Sequence, residues 1–166
     1  MFILSQQRLS DELNFFASYA KYLEENQNKF PRGALKLATS EWYFNPMTSG
    51  CPHDGWLEKL NISEPASGER SEIRKVEIHI ELLGAWHNGK IFLDYSNVLT
   101  YQFNGPKIGE GHGDWLYDEY RVSDEGDLIH EIEWADGAHW LIVAEDVAYD
   151  WLPFVDGHRF DEKAAL

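Results

Sequence analysis

The 166 residues are 43% hydrophobic and 14% aromatic, enough for one domain to bury a core, and a single cysteine, Cys51, excludes an internal disulfide framework. Fourteen basic against 29 acidic residues give a formal charge of −15, of which −13 lies between Gly109 and Leu166. Such a field repels nucleic-acid phosphate and anionic membrane and attracts a basic partner, and no run of eighteen apolar residues offers a spanning helix. Met1 to Leu4 is too short for the apolar stretch of a secretion signal, so the expected location is cytoplasmic.

Ser10-Asp11-Glu12 reads as a helix start, and Leu13, Phe16, Ala20 and Leu23 recur at helical spacing behind it. The pattern predicts an amphipathic helix to about Asn28, with those four side chains packed onto the sheet; Pro31 then disfavours helical geometry in the residue before it. Gly33 to Phe44 has no clean period and fits a short helix or a strand. Pro46, Ser49, Gly50, Pro52 and Asp54 mark a loop from Asn45 to Gly55.

Strands dominate from there on. Trp56 to Ile62 is a candidate first strand, and Glu64 to Glu72 a polar connection. Val76, Ile78, Ile80 and Leu82 alternate with polar neighbours as a half-buried strand does. Asn88-Gly89 predicts a type I′ hairpin turn into Lys90 to Tyr95, and Asn97 a further turn before Val98 to Phe103. Trp115 to Val122 and Leu128 to Trp134 flank a turn at Asp124-Glu125-Gly126, and Asp136-Gly137 leads into His139 to Ala144. The expectation is a single α+β domain. Residues 1–45 form a mainly helical segment, packed on a six- to seven-stranded, mainly antiparallel meander over residues 56–152, with a loose tail at 156–166.

Candidate chemistry is sparse. Gly109-Glu110-Gly111-His112-Gly113-Asp114 precedes a strand rather than a helix and carries a glutamate, so a phosphate loop fails; His112 and Asp114 cap the connection or line a site. Glu77, His79 and Glu81 share one strand face, and Glu131 and Glu133 another, with His130 opposite. Were both rows on one face of the sheet, His79 and Glu81 with Glu131 or Glu133 would suit a divalent cation. A solvated polar face opposite a core of Val76, Ile78, Ile80, Ile132 and Trp134 accounts for the same pattern. Cys51 near His53 is the one thiol candidate and reads as inert. No nucleophile elbow, Walker sequence or zinc-protease helix occurs. No cofactor and no catalytic residue are assigned.

Read together, His112-Gly113-Asp114-Trp115-Leu116-Tyr117-Asp118-Glu119 and His130-Glu131-Ile132-Glu133-Trp134 resemble small bacterial proteins of unknown function; similar acidic single-domain proteins occur as immunity proteins. The resemblance covers roughly Ile73 to Trp151 and implies no activity or cofactor. The expected function is non-catalytic binding of a basic protein partner, with His112, Asp114, Trp115, Asp118, Glu119, Glu131 and Glu133 as candidate contacts. The alternative is a metal-dependent hydrolase, or a small-ligand or carbohydrate-binding protein, using the histidines and carboxylates of the sheet.

Overall fold

In a computed structural model, which describes residues 2–4, 12–105 and 111–155, two helices, α1 (Glu12–Asn26) and α2 (Arg32–Ala38), precede eight strands. These are β1 (Trp56–Ser63), β2 (Ala66–Ser67), β3 (Ile73–Arg74), β4 (Glu77–Leu83), β5 (Gly89–Phe103), β6 (Trp115–Val122), β7 (Leu128–Trp134) and β8 (His139–Pro153). The fold is α+β, with helices at the N-terminal end and a mainly antiparallel sheet. The expected tail at 156–166, the Ser10-Asp11 helix start and the side chain of Leu13 lie outside the described residues.

Six strands form one sheet in the order β1-β4-β5-β8-β7-β6, while β2, inside the expected polar connection, and β3, just beyond it, make a small separate hairpin. The sheet is therefore two three-stranded meanders, β1-β4-β5 and β8-β7-β6, joined through the two fifteen-residue strands. β5 and β8 pair from Gly89↔Pro153 to Phe103↔Trp140. The turn expected at Asn97 is instead an irregularity within β5: Asn97 has φ of 45° and the register slips between Val98 and Thr100. A bulge absorbs one residue and bends the strand without ending it, which is why a turn-forming residue sits mid-strand.

The first hairpin also departs from expectation in its turn. β4 and β5 pair, from Ile78↔Tyr95 to Leu83↔Lys90, but the chain reverses over Gly84 to Asn88, with the positive φ (53°) on His87. Gly89 is already in β5. Its glycine is required by close approach: a Cβ there would stand 2.5 Å from carbons of the Trp151 indole and 2.6 Å from the Leu152 carbonyl oxygen. The two later turns are alike. Ser123–Asp127 and Trp134–Ala138 each place a glycine at positive φ, Gly126 at 93° and Gly137 at 85°, where an L side chain is disfavoured.

The sheet curls. The Trp115 amide donates to the Gly55 carbonyl at 2.9 Å and the Asp54 amide to the Trp115 carbonyl at 2.8 Å, so the start of β6 returns to the residues that lead into β1. Beyond that point the outer edge of β6 meets side chains. The His53 ring bonds the Leu116 carbonyl, the Tyr19 hydroxyl accepts from the Tyr120 amide and donates to its carbonyl, and the Tyr22 hydroxyl does the same at Val122. Tyr19 and Tyr22 lie one helical turn apart on α1, and Tyr120 and Val122 share one outward phase of the strand. Helical hydroxyls thus stand in for a missing strand and blunt an edge that would otherwise template pairing.

This geometry corrects the expected helix face. Tyr19 and Leu23 are buried, while Phe16 is 50% exposed and Ala20 is exposed. The tyrosines win the contact because they satisfy backbone groups as well as burying rings, and the Phe16–Ala20 stripe is turned toward a groove between the helices. α2 is fixed differently. The Asp146 carboxylate of β8 accepts from the Gly33 and Ala34 amides, both at 2.9 Å, supplying from the sheet the cap that Pro31 cannot give.

The core lies between the helices and the concave face of the sheet. Ile78, Ile80, Ile91, Leu93, Ile132 and Ile142 are buried there as the alternation predicts. Beside them Trp115, Trp134 and Trp140 interlock edge to face, with centroids 5.4 and 4.8 Å apart.

Candidate functional site

The first group of candidate residues resolves into a buried polar network. Asp118 on β6 and His130 on β7 point to the core face, as do Tyr95 of β5 and Tyr120 of β6, and Tyr43 reaches them from the segment after α2. Asp118 Oδ1 accepts from the Trp115 indole at 3.1 Å, and its Oδ2 accepts from the Tyr43 hydroxyl at 2.9 Å and meets His130 Nε2 at 2.8 Å. Tyr95 lies 2.6 Å from His130 Nδ1, and the Tyr120 and Tyr43 hydroxyls are 2.7 Å apart.

One assignment of hydrogens satisfies every group. Tyr120 donates to Tyr43, Tyr43 to Asp118, Tyr95 to His130 Nδ1, and His130 Nε2–H to Asp118. Burial, reinforced by the Asp118 charge, holds the Tyr43, Tyr95 and Tyr120 phenols well above their ordinary value of 10.0, so they remain donors. The alternation Leu128, His130, Ile132, Trp134 signalled that His130 faces inward; its tyrosine partners come from three other segments and left no local signal.

The carboxylates of the convex face are also held. Arg121 on β6 bonds Glu131 on β7 and lies 3.0 Å from Glu119, whose other oxygen accepts from the Phe2 and Leu4 amides at 2.7 and 3.3 Å. His139 is 3.7 Å from Glu131. On the other meander Lys90 bonds Glu81 and lies 3.4 Å from Glu58. Burial works to lower the Lys90 ammonium, but the bonds and charges of Glu81 and Glu58 outweigh it and leave the group raised above its usual 10.5. His79 is paired with Asp94 at 2.6 Å.

Both acidic rows do share the convex face, yet the cation arrangement does not assemble. β4, with His79 and Glu81, is separated from β7, with Glu131 and Glu133, by β5 and β8, three strand spacings or about 14 Å. Among the described residues no three His, Cys, Asp or Glu side chains gather as metal ligands. The candidate contacts for a partner also divide. Trp115, Asp118, Glu119 and Glu131 are buried, the two largest exposures among them being 6% and 4%, and cannot meet a partner directly. Asp114 is exposed, and Glu133 and His112 half-buried, with the His112 ring against Trp134 and Trp140. Cys51 is buried and its thiol is pushed up to about 12, first by burial, so the neutral thiol persists at ordinary pH.

Among the described residues several recesses remain, one of them small, about 170 Å³, beside Cys51, His53, Trp115 and Asp118. A cleft of about 820 Å³ runs beneath α2, with Leu37, Trp42 and Tyr149 at its sides and Ile78, Tyr95 and Val147 below. His79 and Asp94 also border the cleft, next to Ile78 and Tyr95. An apolar groove of about 550 Å³ separates α1 from α2. No helix among the described residues is long and apolar enough to cross a membrane. Comparison with protein-family models, with curated proteins and with solved structures finds no match to this chain.

Proposed function

We propose that the protein is a non-catalytic binding protein whose acidic sheet half engages a basic protein partner, in the way an immunity protein neutralises a cationic toxin. The uneven charge carries this reading. Between Gly111 and Val155 stand twelve Asp and Glu and a single Lys or Arg, Arg121, and Arg121 is held between Glu119 and Glu131. Three of the twelve lie in the interior, which leaves nine to shape the external field, among them Asp114 and Asp136 at one end of β6–β7 and Asp124 and Glu125 at the other. Such a field steers cationic partners and opposes polyanions.

The test is an association rate, measured against ionic strength with the partner recovered from a native host lysate. Exposed charges are screened beyond about 8 Å at physiological salt, so the rate should fall as salt rises. It should fall again in Asp114→Asn/Asp136→Asn, which preserves the Asp136 Oδ1 that accepts from Ala138. A rate indifferent to both changes would leave the acidity as a solubility feature.

A second reading, binding of a small or sugar-like ligand, is favoured by the cleft beside Trp42 and Tyr149. Ring resonances of Trp42 and Tyr149 that shift on titration with a sugar panel would support it, and unmoved resonances would count against it.

A further inference from the structure

We infer that the groove between α1 and α2 seats an amphipathic, basic helix of the partner, an inference that rests on the basic-partner reading above. The groove follows α1 at helical spacing: Phe16, Tyr19, Ala20, Leu23 and Gln27 line it, and Leu35 and Ala38 of α2 face them. Eleven residues of α1, at about 1.5 Å each, give a slot roughly 16 Å long, three turns of helix. Phe16 and Ala20 remain exposed within it because α1 is fastened through Tyr19 and Tyr22 to β6, which holds it away from α2. The space of about 550 Å³ accommodates a few large apolar side chains, as a helix presents at i, i+3/i+4 and i+7.

Charge selects the occupant. Among the described residues the charged side chains lining the groove are Glu24 and Glu41, both exposed, while Lys21 lies 3.7 Å from Glu25 and Arg32 and Lys36 border the cleft on the other side of α2. A helix with apolar anchors inward and Lys or Arg flanking them would therefore match floor and rim together. An acidic helix would meet like charge.

The probe is a fourteen-residue Leu/Lys peptide patterned for an amphipathic helix, with a scrambled peptide of the same composition and a Leu/Glu counterpart as controls, read by fluorescence anisotropy. The wild-type chain should bind the patterned peptide at least tenfold more tightly than either control. Ala20→Arg, an exposed position where added bulk threatens folding least, should weaken that binding at least tenfold, and Glu24→Lys should weaken it also. Equal binding of the scrambled peptide, or binding unmoved by Ala20→Arg, would overturn the inference. So would a fluorescent fatty acid that binds in an Ala20-sensitive way while the peptide does not, since the groove would then hold a lipid chain. With the native partner, rates that respond to salt and to Asp114→Asn/Asp136→Asn but not to Ala20→Arg would reject the groove and keep the basic partner. Ala20-sensitive rates that ignore salt would reject the basic partner itself.

Discussion

Asp118 is the residue on which most of the interior polarity depends. It receives the Trp115 indole, the Tyr43 hydroxyl and His130, so it accepts from three donors and offers none. In Asp118→Asn one oxygen becomes an NH2 that confronts a donor, leaving buried groups unsatisfied. The expected cost is about 3 kcal/mol in chemical denaturation, without loss of the strands. The tyrosines above it predict an alkaline limit. Their folded values are raised above the unfolded 10.0, so protonation is equal in both states below pH 10; above it the unfolded chain loses protons that the folded chain keeps, and stability falls. Urea midpoints measured at rising pH should hold up to about pH 9, where the Cys51 thiol first contributes, and then drop; Tyr95→Phe should make the drop shallower.

At the scale of elements, the α1–β6 seam makes a sharp prediction. Tyr22→Phe removes one oxygen that serves both backbone groups of Val122, so amide exchange at Val122 should accelerate while exchange in β4 and β5 is unchanged, at a cost of about 1–2 kcal/mol. Gly89→Val should cost about 3 kcal/mol, because the new side chain meets the Trp151 ring and the Leu152 backbone; a change below about 0.5 kcal/mol would contradict that packing. The strands themselves were legible in the sequence. β6 and β7 fall where alternation placed them, since apolar side chains recur on one face and charged ones on the other. What the sequence did not disclose was long-range. Asn97, just before the bulge in β5, looks locally like a turn, and β8 runs on past Ala144 because β5 lies beside it. The buried face of α1 was misread because tyrosine hydroxyls found strand backbone a hundred residues away. The interior position of Asp118, Glu119 and Glu131 was likewise hidden, since their partners Tyr43, Phe2 and Arg121 come from separate segments or lie on the strand's own charged face.

The whole molecule combines a curled sheet, sealed along β6 by helical side chains, with a field dominated by its second half. The helices pack against β6 and β8, and the carboxylates gather about the turns of that same meander, so a partner that docked on the groove would present its remaining positive charge to a strongly negative neighbour. The interlocked indoles of Trp115, Trp134 and Trp140 carry a consequence of another kind. Indoles whose neighbouring centroids lie 5.4 and 4.8 Å apart, with ring planes inclined by 69° and 62°, couple as excitons, giving a split circular-dichroism band that the peptide backbone does not produce. The band depends on ring orientation and decays as soon as the rings rotate freely. The protein thus carries its own optical gauge of core order, able to distinguish a sheet with loosened packing from the native state while the strand signal is still intact.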